Sequence, residues 1–305
     1  MVIKKSQSCE MESEMKILIL LLLLACEKPQ PPKPEPVPTT PPVKITGDFI
    51  GVTIDSQDYK VADNLAAHKK QLWARIVFDE FVAAKDYLEF VNYVSAKNPV
   101  MGELLDSFYV PKYSVDAYAK RTKEYLDTFG DRLEILEIFN EINGEWLGNS
   151  SDVAKKLRAS YDIAKPRAKK IAITLYLNDG CYEKLDNEMF NWAQKYIPAD
   201  IKNGLDYVLV SYYQEDCENK VPDWSKVFAK LKVMFPNSYI GIGESGLGES
   251  FMKKHGTPEL IKASIDRCYN VKIIDDKWKL GCFYWYYNKH MAIKGEYWKH
   301  LDSKL

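Results

Sequence analysis

Leu136-Glu137-Ile138-Phe139-Asn140-Glu141 and Ile240-Gly241-Ile242-Gly243-Glu244-Ser245-Gly246 are two apolar, β-prone runs, and each closes on a glutamate. Short runs that are nearly continuous in apolar residues fit strands buried on both faces, as in a parallel sheet. Working outward from them, further strands are expected over Phe49–Asp55, Trp73–Asp79, Val100–Asp106, Lys170–Leu177, Tyr207–Tyr213 and Gly281–Asn288. The two quoted runs fill Leu133–Ile142 and Tyr239–Gly246. Amphipathic helical stretches alternate with the strands: Tyr59–Lys70, Ala84–Lys97, Val115–Phe129, Asp152–Ala168, Glu188–Tyr196, Trp224–Phe235 and Pro258–Ile274. Ser114 and Ser151 stand where helix N-caps are expected, and Pro258 suits a first helical turn. This rhythm, within roughly 250 residues, predicts a (β/α)8 barrel of the α/β class. An open doubly wound sheet is the alternative. It usually carries a glycine-rich phosphate loop after its first strand, and Val52-Thr53-Ile54-Asp55-Ser56 is not one.

The rest of the 305-residue chain narrows the function classes. A formal net charge of −1 gives no polyanion-binding balance, so nucleic acid is not an expected partner. Ile17 to Leu24 is an unbroken aliphatic run, too short to span a bilayer and suited to a signal-peptide core. Leu23-Leu24-Ala25-Cys26 resembles a bacterial lipobox, which implies lipidation of Cys26, attachment to the cell envelope and a membrane partner through that anchor. Glu10, Glu12 and Glu14 fit a basic leader poorly, so Met15 is a candidate start. A proline-dominated spacer follows over residues 27–44, and the barrel is expected over 45–305, acting as a monomer.

In a (β/α)8 barrel the chemistry sits at the C-terminal strand ends. Here those ends read Asp55, Asp79, Asp106, Asn140-Glu141, Asn178-Asp179, Tyr212-Tyr213, Glu244 and Trp285. A ring of carboxylates, amides and aromatics around one mouth describes a sugar-sized polar pocket. A carboxylate pair within it is the equipment for acid/base and nucleophilic work on an acetal. Lone acids at strand ends are as often helix caps, which applies to Asp55, Asp79 and Asp106 individually. No histidine pair among the four histidines has metal-ligand spacing, so neither metal nor cofactor is expected.

With these residues in place, the chain resembles the large clan of retaining glycoside hydrolases with (β/α)8 barrels, including cellulase-like, mannanase-like and galactanase-like families. Asn140-Glu141 matches its fourth-strand signature and Gly243-Glu244-Ser245-Gly246 its seventh. Arg75 in Trp73-Ala74-Arg75-Ile76-Val77 matches the second-strand arginine, Ser211-Tyr212-Tyr213 the sixth-strand tyrosine segment, and Trp285 the eighth-strand tryptophan. The resemblance implies Glu141 as acid/base and Glu244 as the nucleophile of a two-step reaction on a β-linked oligo- or polysaccharide, with retaining spacing between the two carboxyls. It also implies Asn140 on the sugar 2-hydroxyl, Arg75 and Tyr212 beside Glu244, and Trp285 as the subsite floor. Val100-Met101-Gly102-Glu103-Leu104-Leu105-Asp106 departs from the cellulase-like pattern by lacking a histidine.

Several residues keep two readings. Trp146 either stacks on a leaving-group sugar or packs its loop. Glu137, deeper on the same strand as Glu141, reads as an interior hydrogen-bonding group, and His290 is a further candidate for the cleft wall. Both Cys181 and Cys217 fall on adjacent loops at the catalytic face and are expected to form a disulfide, while Cys268 and Cys282 are read as buried thiols. Competing functions are a glycan-binding lipoprotein on the same barrel and a barrel aldolase or metal hydrolase. The last two require a strand-end lysine or a His/Asp cluster that is not evident.

Overall fold

The computed structural model describes residues 41–42, 49–271 and 281–305; Cys26, its lipobox and most of the proline-rich segment lie outside the described residues. Eight parallel strands close into a barrel in sequence order: β1 (Gly51–Ile54), β2 (Trp73–Val77), β3 (Val100–Glu103), β4 (Ile135–Phe139), β5 (Ile171–Tyr176), β6 (Tyr207–Tyr212), β7 (Tyr239–Ser245) and β8 (Phe283–Tyr284). Helices and short 3₁₀ turns connect them and form the outer shell.

Side-chain alternation sorts each strand into an inward and an outward set. At the base of the barrel Trp73, Met101, Ile135, Ala172, Leu209 and Phe283 form a separate apolar plug with Phe49. One alternation further up, the inward positions turn polar: Thr53, Arg75, Glu103, Glu137, Thr174 and Ser211 are all fully buried. The outward set, including Val52, Ile76, Leu136, Ile173 and Val210, joins the main core beneath the helices. The barrel interior is therefore an apolar floor carrying a buried polar layer.

Two strands break the alternation: β4, which leads into Glu141, and β7, which carries Glu244. Between β4 and β5 the pairing passes from Glu137↔Ala172 to Phe139↔Ile173, leaving Ile138 unpaired. Between β6 and β7 it passes from Val210↔Ile242 to Ser211↔Glu244, leaving Gly243 as the extra residue. Bulges of this kind re-aim a side chain. Gly243 itself faces inward: a Cβ placed on it would fall 2.7 Å from Leu209 Cβ and 2.8 Å from Thr174 Oγ1. Glycine at 243 thus lets two consecutive positions face the interior. Gly243→Ala is expected to destabilise the fold by about 1–3 kcal/mol, as overpacking does in a dense core. Urea denaturation checks this, and an unchanged midpoint would show that the interior has room.

Several expected boundaries shift. The third strand stops at Glu103, because Asp106 caps the 3₁₀ turn Ser107–Lys112 by accepting from the Phe108 amide at 2.8 Å. The eighth strand is only Phe283–Tyr284, and the chain then winds into the helix Tyr287–Met291. Ser114 caps its helix as expected, whereas Asn149 takes the place predicted for Ser151. The Asn149 side chain accepts from the amides of Ser151 and Asp152, which draws the helix start back to Ser150. Pro258 lies in the first turn of Pro258–Tyr269 behind the Thr257 cap. Cys181 and Cys217 are bonded, with Cα atoms 5.2 Å apart. The reading of Cys268 and Cys282 as thiols is corrected: they are bonded too, with Cα atoms 5.4 Å apart, because a buried face of the helix Pro258–Tyr269 lies against the residue entering β8.

Candidate active site

Arg75 organises the polar layer. Its Nε and Nη2 donate to Glu137 Oε2 and Oε1 at 2.7 and 3.0 Å, a bidentate pair that fixes the guanidinium plane. Thr174 donates its hydroxyl to the same carboxylate. Nη1 then points up the barrel to Glu244 Oε2 at 2.9 Å. Glu103 Oε2 stands 3.0 Å from Nη2, at ion-pair distance but with neither oxygen in hydrogen-bond geometry. One cation therefore serves three buried carboxyls, and the attraction of all three holds Arg75 firmly protonated against the cost of burial. Burial, partly offset by Arg75, pushes Glu103 well above the usual carboxylate range.

Glu244 is held on both oxygens. Tyr213 donates its phenol to Oε1 at 2.7 Å, and Asn140 Nδ2 donates to Oε2 at 3.2 Å beside Arg75. Burial raises its pKa, while Arg75 and Tyr213 oppose that rise by favouring the ionised form. Glu141 has different company: Ser211 donates to Oε1 at 2.6 Å and Ser107 to Oε2 at 2.8 Å, both neutral hydroxyls. Burial first, and then the negative charge of Glu244, push Glu141 up to about 8 despite those two hydrogen bonds. Glu141 also sits at φ 46°, in the left-handed region that a β-carbon disfavours. The strain lets Asn140 and Glu141, neighbours in sequence, both address the mouth of the barrel.

A cleft of about 370 Å³ opens over the pair, lined by Asp106, Ser107, Phe108, Glu141, Trp146, Tyr176, Tyr213, Asp216, Glu244, Glu249, Trp285 and Tyr286. Of the residues singled out from sequence, Glu141, Glu244, Asp106, Trp146 and Trp285 line it, and Asn140 and Arg75 lie directly beneath. The Trp285 ring centroid is 5.8 Å from the Arg75 guanidinium carbon. Trp146 stands partly exposed, edge-on to Tyr176 and donating its indole N–H to Ser107 Oγ at 3.0 Å. Glu137 is interior, as expected. Asp55 stands exposed after β1 and Asp79 accepts from the Tyr87 phenol at 2.6 Å; neither lines the cleft.

Two expectations need correction. Tyr212 does not approach Glu244; it points out of the barrel, gives its hydroxyl to the Lys220 carbonyl and packs edge-on to Trp224. Ser211 faces inward, so alternation sends Tyr212 outward and Tyr213 inward. His290 is likewise absent from the cleft wall: its Nδ1 lies 3.0 Å from the Tyr284 hydroxyl, in the shell outside β8. Sequence reasoning named Tyr213 and Ser211 only within the sixth-strand segment, without their roles beside the two glutamates, and did not single out Ser107. Counting inward positions along β6 would have found the first two. Ser107 lies past the strand, in a turn where no periodicity operates.

No protein-family model and no curated protein sequence matches this chain. Solved structures do resemble it. A family 5 xyloglucanase from Paenibacillus pabuli superimposes with a TM-score of 0.54 at 12% identity, covering 84% of this chain and 98% of that one. A fungal β-1,4-galactanase gives 0.44 at 15% identity, covering 74% of this chain and 79% of its own. Endo-glycoceramidase II from Rhodococcus sp. gives 0.47 at 12% identity over 78% and 72% of the two chains.

Proposed function

We propose that this chain is a retaining glycoside hydrolase that cleaves a β-linked glycan, with Glu244 as nucleophile and Glu141 as acid/base. The observation that carries the reading is the opposed surroundings of two buried glutamates in one cleft. Glu244 is contacted by a guanidinium, a phenol and an amide, all of which favour the ionised, attacking form. Among the described residues no cation contacts Glu141, and it is pushed up to about 8, so it holds its proton at neutral pH and can give it to a departing oxygen. Pairs of carboxyls whose environments push their pKa values apart mark the acid and the base of such a site.

In the first step Glu244 attacks the anomeric carbon as Glu141 protonates the leaving oxygen, giving a covalent glycosyl-enzyme. In the second, Glu141, now ionised, takes a proton from water, which displaces Glu244. Asn140, whose amide donates to Glu244, is the residue assigned to the neighbouring sugar hydroxyl. Trp285 and Trp146 offer flat faces on the cleft wall for sugar rings. The barrel shared with the xyloglucanase accommodates this chemistry but does not choose the sugar. Incubating the full chain with a panel of plant, algal and microbial β-glycans, and sizing the products, tests the reading. Chain shortening of at least one glycan is the expected result; binding without any turnover across the panel would replace it with a glycan-binding role.

A further inference from the structure

Between the wall of the cleft and Glu141 runs a short relay that the two-carboxylate scheme does not require. Trp146 Nε1–H donates to Ser107 Oγ at 3.0 Å, and Ser107 Oγ–H donates to Glu141 Oε2 at 2.8 Å. Ser107 is 3% exposed and Trp146 is 39% exposed, so one end of the relay is buried and the other faces the cleft. The indole nitrogen can only donate. It occupies a lone pair of Ser107 and orients the serine hydrogen toward Glu141. Ser211 Oγ holds the other carboxyl oxygen in the same sense at 2.6 Å. With a serine hydrogen aimed at each oxygen, a proton on Glu141 has no place between the carboxyl and either serine. It is left on a lone pair that neither serine occupies.

We propose that Ser107 is a positioning residue that couples Trp146, the exposed indole on the cleft wall, to the acid/base Glu141. The proposal rests on Glu141 having that role. Its consequence is directional. A hydroxyl donated to a carboxylate favours the ionised form, so deleting it raises the pKa of Glu141 and moves the basic limb of the pH profile to higher pH. The ionisable groups facing Glu141 from the surrounding elements are Glu244 from β7, Asp106 from the turn after β3, Tyr176 from β5 and Tyr213 at the end of β6. None is altered by the substitutions used here.

The test compares Ser107→Ala, Trp146→Phe and the double variant in the full chain. Two readouts are used: the pH profile of kcat/KM on a cleaved glycan, and the pKa of Glu141 from carbon-13 NMR of its side-chain carboxyl without substrate. Ser107→Ala should raise both the basic limb and the NMR pKa by about 0.5–1 pH unit, on the scale of one hydrogen bond to a charged group. Trp146→Phe, which keeps a flat face, should shift both in the same direction by less. The double variant should shift no further than Ser107→Ala alone, because the indole acts only through the serine. An unmoved Glu141 pKa in Ser107→Ala, or a Trp146→Phe shift that persists undiminished without Ser107, would overturn the relay. The NMR titration needs no turnover, so failure of the glycosidase reading would show separately, as a Glu141 pKa that responds to Ser107 in a protein that cleaves no glycan.

Discussion

Glu244→Gln is expected to lower turnover of any cleaved glycan by roughly 10⁴-fold or more, the scale of removing an enzyme's nucleophile. The side-chain volume is retained, and the amide oxygen can still accept from Tyr213 or Arg75, whose partner Glu137 is untouched. What disappears is the anionic oxygen that forms the bond to the anomeric carbon. Loss of a buried negative charge leaves Arg75 shared between Glu103 and Glu137, still with compensation, so the thermal midpoint should change little. Steady-state rates and a melting curve on the same preparation check both halves. A variant that melts normally and still turns over at near wild-type rate would remove Glu244 from the mechanism.

Glu141→Gln should lose activity in proportion to how badly the leaving group needs a proton. General acid catalysis contributes about 10²–10⁴-fold, so a sugar alkoxide leaving group should be slowed by that order. An activated aryl glycoside departs with little help, and its first step should be nearly unaffected. Its second step lacks the base that activates water, so a glycosyl-enzyme should accumulate and appear as a burst of released phenol. The pH profile carries the same information. Glu141 must be protonated for bond cleavage, so kcat/KM on a glycan should fall as pH rises through about 8, and Glu141→Gln should abolish that limb. Retention of the limb in the variant would assign it to another group.

The alternation of inward and outward residues made much of this site legible in the sequence. Arg75 sits two residues beyond the apolar plug on its strand, and the two closing glutamates and Trp285 fall where parallel strands end. Where the backbone departs from strict alternation, parity alone no longer places a side chain; on β6, where alternation holds, the expectation was off by one residue. Glu137 and Glu141 share parity on an ideal strand, yet Glu141 reaches the mouth only through a bulge at Ile138 and a left-handed residue. Placing Tyr212 instead of Tyr213 beside Glu244 was a one-residue slip, and one residue reverses the face of a strand. Ser107 follows the third strand in a capped turn, where its neighbours in space, Trp146 and Glu141, are set by tertiary packing alone. The same limit hid the bond between Cys268 and Cys282: periodicity marks each position as buried but does not say which buried side chains meet.

The stereochemical course of hydrolysis separates a covalent route through Glu244 from direct attack by water. Attack by Glu244 followed by attack of water inverts the anomeric carbon twice, whereas direct attack of water, with the two glutamates as acid and base, inverts it once. Proton NMR of the anomeric region, recorded during the first minutes of hydrolysis before mutarotation, reads the outcome on whichever β-glycan the protein cleaves. With Glu244 as nucleophile, the first product should carry the β configuration of the substrate and only later relax to the equilibrium mixture. A first product in the α configuration would contradict this, and would leave Glu244 as a base activating water, never a nucleophile bonded to sugar.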